Sequence, residues 1–381
     1  MRGVTGRGRA TVTLACTLLA LPGASVARAA ETVEPRLLTT AISGLGPLEA
    51  LRPASWLKGA TATLETLSPA GGPSQVLAKA PLLKGRLVPS GTGASWSGDG
   101  ATVAFAAGNG KHERIFLVSS TGGRSLRVAG TRGGTDPVLS PDGQTIAFSR
   151  SRSRYRVDKS LIPYLPKGIK PPKTKLVYSS TSTWLVDASG GHPRRLTPWR
   201  NGLHEQPTSF SPDGTTLALT SKAGDQTGSQ VALADLASGG QTVVAAKAEE
   251  AAISPDGTRI AYVGYADADV VKTEENDRYV APEIYVKEIG SETALRLTHS
   301  RGVIESAPSW DQSGSRIAYV SARADTSFLA PLGNLLPAGN SVMQMNADGS
   351  CPQRIASHRG IAFYGAAWQS GPGREAGPIS C

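Results

Sequence analysis

The chain has little of what most enzymes and membrane proteins need. Of its 381 residues only three are cysteine, three are methionine and five are histidine, and aromatic residues make up 6%. The histidines (112, 192, 204, 299 and 358) show neither H-x-H nor H-E-x-x-H spacing, so no zinc set is written in the sequence. There is no G-x-S-x-G stretch, which excludes a hydrolase nucleophile elbow, and there is no Gly-rich phosphate loop. No apolar run approaches the roughly 20 residues of a membrane-spanning helix. Helical periodicity is scarce, while Gly (44) and Pro (26) are plentiful, as in chains of many short strands joined by tight turns.

Residues 1–29 read as a signal peptide: a basic start (MRGVTGRGR), a short apolar core (ATVTLACTLLAL) and the small-residue cleavage site ARAA. The mature chain is expected to be exported, to the periplasm or outside the cell, with no transmembrane segment. Cleavage leaves Cys351 and Cys381, an even pair in an oxidising compartment, which reads as one structural disulfide near the C-terminus. Cleavage also removes Arg2, Arg7, Arg9 and Arg28 and no acid, so the formal charge falls from +10 to +6.

What the chain does have is a repeat. WSGDG, LSPDG, FSPDG, ISPDG and a degraded WDQSG place glycines at 100, 143, 214, 257 and 314. Two of the gaps are 43 residues, and the others, 71 and 57, are that period with insertions. The stretches that follow (QTIAF, TTLAL, TRIAY, SRIAY) alternate as half-buried strands do. Second turns such as STGG, ASGG and ADGS come later in each unit. A period near 43 with four short strands is a propeller-blade length. TATLETLSPAGGPSQVLA (61–78) and FYGAAWQSG (363–371) read as the two parts of one composite blade. The predicted fold is therefore all-β: a six-bladed β-propeller of four-stranded blades, closed by a blade from both termini. The predicted boundaries are 1–29 signal peptide, 30–59 lead-in segment and 60–381 propeller.

The WSPDG…IAF…IYV…DG…RLT pattern, with RLT at 195–197 and 296–298, resembles the TolB-type propellers over roughly residues 60–371. The resemblance implies that fold and a habit of binding partner proteins at one face and at the channel mouth. It also implies an α/β domain ahead of the propeller, for which about 30 mature residues leave no room.

Every long insertion is expected on the face opposite the tight turns. The first holds Arg150, Arg152, Arg154, Arg156, Lys159, Lys167, Lys170, Lys173 and Lys175 against one acid, Asp158. Its +8 exceeds the whole mature charge, so the stretch 150–175 reads as a docking arm for an envelope protein or an anionic polymer, or as a solvated loop paired with the acidic insertion at 265–283. Export argues against nucleic acid. Asp136, His204, Glu205, Glu249, Glu250 and Glu305 fall near the starts of first strands and are expected at the channel mouth. Carboxylates there suit a cation or a basic segment; no other cofactor is expected. Trp96, Trp310 and Trp368 share one strand slot and read as packing residues, leaving Trp199 as the exposed aromatic. The reading is a monomeric, non-enzymatic binding module. The alternative is a propeller lyase or hydrolase of acidic polysaccharide using His204 and Glu205.

Overall fold

The structure, a computed structural model, describes residues 35–43, 61–81, 94–108, 112–157, 175–223, 228–265, 270–272, 278–300, 302–323, 340–357, 362–371 and 377–381. The expected signal peptide lies outside them. Strands β1 (Leu37–Ser43), β2 (Thr61–Leu67) and β3 (Gln75–Pro81) open the chain. Blade one is β4 (Ala94–Trp96), β5 (Thr102–Ala107), β6 (Arg114–Ser119) and β7 (Leu126–Arg127). Blade two is β8 (Gly134–Leu139), β9 (Thr145–Arg156), β10 (Lys175–Asp187) and β11 (Arg194–Arg195). Blade three is β12 (Leu203–Phe210), β13 (Thr216–Ala223), β14 (Ser229–Asp235) and β15 (Gln241–Ala246). Blades two and three form one eight-stranded sheet, joined by a single parallel bridge between Thr181 and His204.

Blade four is β16 (Ala248–Ile253), β17 (Arg259–Gly264), β20 (Glu283–Glu288) and β21 (Ala294–Arg296), and a hairpin of β18 (Val270–Lys272) and β19 (Arg278–Val280) lies between β17 and β20. Blade five is β22 (Val303–Trp310), β23 (Arg316–Arg323), β24 (Ser341–Asn346) and β25 (Gln353–Ser357). The last strand, β26 (Ala362–Trp368), pairs antiparallel with β1 and completes the order β26-β1-β2-β3. One end of the chain thus closes the sheet begun by the other. The expected lead-in segment is corrected here: its residues 37–43 are the second strand of the composite blade. LLTTAIS carries no SPDG turn, and its first-strand partner lies more than 300 residues away in sequence, so the repeat pattern does not reveal it.

The core lies in the seams between blades. Leu38, Leu64 and Leu77 of the composite blade pack on Trp96, Val103 and Val118 of blade one. Ile115 and Val128 then meet Ile146 and Phe148, Leu185 meets Leu217 and Leu219, and Val231 meets Ile260. Ile284 meets Ile317 and Trp310, and Val320 and Val342 meet Leu37 and Phe363, which closes the cycle. Each fully buried large apolar side chain stabilises by about 1.5–3 kcal/mol, so the ring holds itself without one central core. Trp96 and Trp310 are the packing residues expected: each indole N–H crosses its seam to a backbone carbonyl, that of Ala367 (3.1 Å) and of Ala252 (3.0 Å).

The SPDG turn is a compact hydrogen-bonded unit. In blade two Ser140 Oγ donates to Asp142 Oδ1 (2.5 Å) and accepts from Thr145 N–H (2.9 Å), while Asp142 also accepts from Gln144 N–H (3.0 Å). These bonds hold the Asp142 carboxyl below the usual range. Gly143 closes the turn at φ +69°, which an L side chain resists. In the degraded WDQSG turn the two roles are exchanged. Asp311 stands in the serine position and accepts from Arg316 N–H (2.7 Å) and from Ser313 Oγ (2.6 Å). Donor and acceptor have traded places, and the turn survives.

At the C-terminus Cys351 and Cys381 are disulfide-bonded, with Cα atoms 5.2 Å apart. The segment before Cys381 is held to blade five, where Asn346 Nδ2 donates to Ile379 O (3.0 Å) and Asn346 Oδ1 accepts from Ile379 N–H (2.6 Å).

Candidate functional site

First strands from five blades and the composite blade line a central channel of about 400 Å³. In blades two to five and in the composite blade, the ladder slips and the backbone bulges about three residues before the end of the first strand. Asp136 (φ 49°), Glu250 (φ 53°) and Ala307 (φ 52°) occupy this slot in the left-handed region, and Gly365 (φ 74°) fills it in the composite blade. Such a conformation costs a non-glycine residue about 1–3 kcal/mol. The channel wall includes both acidic members of the slot, Asp136 and Glu250.

Asp136 accepts hydrogen bonds from Thr135 Oγ1 (2.9 Å) and Gln206 Nε2 (3.2 Å), while burial holds its carboxyl above the usual range. Glu250 accepts from the Ala307 N–H (2.7 Å) and is pushed up to about 6 by burial and by the neighbouring Glu249 charge.

The other expected mouth carboxylates do not share that wall. Glu249 (7% exposed) pairs with Lys222 and accepts from the Tyr265 hydroxyl in the seam between blades three and four. Glu205 (3% exposed) accepts from Gln241 Nε2 (3.0 Å) and has one oxygen without a partner. Glu305 (1% exposed) accepts from Ser321 Oγ (3.4 Å), and its second oxygen is also without a partner. Burial, with the Glu283 charge beside it, pushes Glu305 up to about 8. His204 Nδ1 lies 2.9 Å from Thr181 Oγ1 and does not line this cavity. Of the acids expected at the mouth, Asp136 and Glu250 line this cavity, while Glu205, Glu249 and Glu305 are buried with partners of their own. The cavity runs from this slot toward the SPDG turns, and Glu205, Glu249 and Glu305 come before the slot in their strands.

The basic insertion is built differently from a loop. β9 and β10 run on together to Arg156 and Lys175 as a hairpin, with Arg150 opposite Ser182, Arg152 opposite Ser180 and Arg154 opposite Tyr178. The alternation in RSRSRYR is a strand's period of two, so Arg150, Arg152, Arg154 and Arg156 share one face. Arg150 sits over Phe148 (5.1 Å) and Trp184 (4.6 Å) and donates from Nη2 to Gly130 O. Burial and the Arg152 charge lower its pKa. Arg152 lies over Trp199 (4.4 Å), whose ring is 6.4 Å from Trp184. Trp199 is therefore half-buried under an arginine, a correction to its reading as the exposed aromatic. Arg154, Arg156 and Lys175 are exposed. Lys159, Lys167, Lys170 and Lys173 lie outside the described residues, as do Asp267, Asp269, Glu274, Glu275 and Asp277 of the acidic insertion.

No family model matches the chain. Among curated proteins it is 22% identical over 215 residues to the Tol-Pal system protein TolB of Francisella tularensis subsp. tularensis strain WY96-3418, covering 49% of each chain. A TolB from strain FSC147 of subsp. mediasiatica matches at the same identity and coverage. The chain thus spans about half the length of the curated relatives it matches. Among solved structures, TolB from Acinetobacter baumannii superposes with a TM-score of 0.61 at 17% identity, covering 88% of this chain and 67% of that one. The putative TolB from Agrobacterium tumefaciens gives 0.53 at 17% identity, covering 87% and 98%. The chain has the fold of the TolB-type β-propellers.

Three features of the TolB-like propeller escape its sequence pattern. The arginine–aromatic stack joins Phe148, Trp184 and Trp199, which are up to 51 residues apart, and only the two-residue arginine spacing hints at it. Glu283, with no measurable exposure, is paired with Arg296 (2.7 Å) beside Glu305. Lys222 neutralises Glu249 from the neighbouring blade. Among the described residues, no group of three His, Cys, Asp or Glu side chains is gathered as a metal set, and no helix is long and apolar enough to cross a membrane.

Proposed function

We propose that this TolB-like propeller is an exported, non-enzymatic binding module that docks an envelope protein or anionic polymer through its insertion-bearing face. The observation that carries this reading is the concentration of positive charge. Residues 124–200 hold 15 Lys and Arg against four acids, more than the whole chain's excess. Of the described charge, Arg152, Arg154, Arg156 and Lys175 are exposed on the β9–β10 hairpin, and Arg124, Arg127, Arg132, Arg194, Arg195 and Arg200 are exposed elsewhere in the same stretch. Stacking on Trp184 and Trp199 holds the hairpin's base at a fixed angle, which lowers the ordering cost of binding. Asp136 and Glu250 on the channel wall suit a cation or a basic side chain of the same partner. In the polysaccharide-cleaving alternative His204 and Glu205 would act together, but Glu205 is 3% exposed and accepts from Gln241.

The test is affinity capture from the native envelope by the mature protein and by an R154E/R156E variant. Capture of the same discrete partner by both forms, with unchanged salt dependence, contradicts the assignment. Loss of that partner in the variant supports it. Deleting 150–175 outright is a poorer test, because it removes Arg150 from the seam it braces.

A further inference from the structure

The hairpin offers more than charge. β8 pairs with β9 only from Leu139 opposite Ile146 to Gly134 opposite Arg150. Beyond Arg150, no strand among the described residues lies along that side of β9. Residues 151–156 are all exposed, so the backbone groups that every second residue turns away from β10 face outward. The opposite edge of the hairpin is less free. There Gly202 N–H donates to Ser179 O (2.8 Å), and Asn201 Oδ1 accepts from Ser179 N–H (3.0 Å). The open edge is also the one bordered by Arg152, Arg154 and Arg156, successive residues on one face about 6.8 Å apart.

An open strand edge is an assembly hazard that positive side chains guard, and the same charges select what is allowed to add. A phosphate polymer or lipid surface would meet the guanidinium groups and leave the backbone groups unused. An extended polypeptide uses both: its main chain completes the ladder, and its own two-residue period places alternate side chains opposite the arginines. Arginine's planar donors match carboxylates in pairs.

Resting on the docking role proposed for this hairpin, we infer that the β9 edge from Ser151 to Arg156 receives an extended acidic polypeptide segment as an added strand, with a carboxylate at every second residue facing Arg152, Arg154 and Arg156.

The experiment is fluorescence anisotropy on the mature protein with three probes of matched charge. These are an alternating Glu–Thr peptide, the same peptide methylated at every backbone nitrogen, and inorganic polyphosphate. The inference expects the unmethylated peptide to bind at least about tenfold more tightly than the methylated one. It also expects R154E/R156E to weaken that binding by about tenfold or more, as each lost charge pair is replaced by repulsion. Equal affinity of the two peptides for the unaltered protein overturns the added strand, and polyphosphate binding at that same affinity leaves the hairpin as a general anion surface. Indifference of every probe to R154E/R156E overturns both the inference and the docking role. The comparison of the two peptides uses unaltered protein, so it stands whether or not the variant folds.

Discussion

Replacing Glu305 with Gln should make the propeller less sensitive to pH, and by an amount that the seam between blades four and five sets. Glu305 is 1% exposed, and its neighbours there are Glu283, Arg296 and Tyr319. Arg296 is paired with Glu283 at 2.7 Å. Burial and the Glu283 charge raise Glu305 from 4.5 to about 8. A carboxyl raised on folding binds its proton more tightly in the native state. Stability is therefore full below about 4.5, falls as pH rises, and levels off above about 8. At 1.36 kcal/mol per pH unit the loss is about 5 kcal/mol. Gln carries no titrating proton and offers an amide N–H where the pair has none to spare. In urea unfolding from pH 5 to pH 9, Glu305→Gln should match the native protein at the acid end and exceed it by several kcal/mol at the alkaline end. Glu250, pushed up to about 6, adds a smaller loss of the same sign that both proteins share. A constant difference between the two proteins across the whole range would refute the reasoning.

Gly143 and Gly100 occupy equivalent turns at φ +69° and +65°, but a Cβ at Gly143 meets nothing closer than 3.5 Å, while one at Gly100 would sit 2.0 Å from Ser370 O. Thermal unfolding should show Gly143→Ala costing about 1 kcal/mol, the left-handed penalty alone, and Gly100→Ala clearly more, because it also presses on the composite blade. Cys351→Ser opens a 30-residue loop and should cost about 3–4 kcal/mol in denaturant unfolding, with the strand content by circular dichroism retained. Trp310→Ala, which empties a seam and frees the Ala252 carbonyl, should cost about 3–5 kcal/mol; a loss under 1 kcal/mol would show that the seams do not carry the ring's stability.

The propeller was legible because its signal is local and repeated. Ser, Asp and Gly at fixed offsets build each turn, and the alternating strand after it faces a seam. Where that local signal fails, the reading fails with it. β1 has neither turn nor neighbour in sequence to announce it and is recognisable only beside β26. The site was legible as composition but not as geometry. Charge alone made residues 150–156 read as part of a loop, whereas their two-residue alternation belongs to a strand. The acidic residues near the first-strand starts were visible, but the left-handed backbone at Asp136 and Glu250 was not, because residue identity does not specify φ.

On the proposed reading, partners meet the arginine hairpin and not the tight-turn face. A photoreactive side chain placed at Tyr155 on the hairpin, or at Gln144 or Thr215 in exposed turns of the opposite face, tests it directly in the cells that make the protein. The account predicts a discrete adduct from Tyr155 that disappears in the R154E/R156E background, with none from Gln144 or Thr215. Adducts confined to the turn positions, or a Tyr155 adduct indifferent to the arginines, would contradict it.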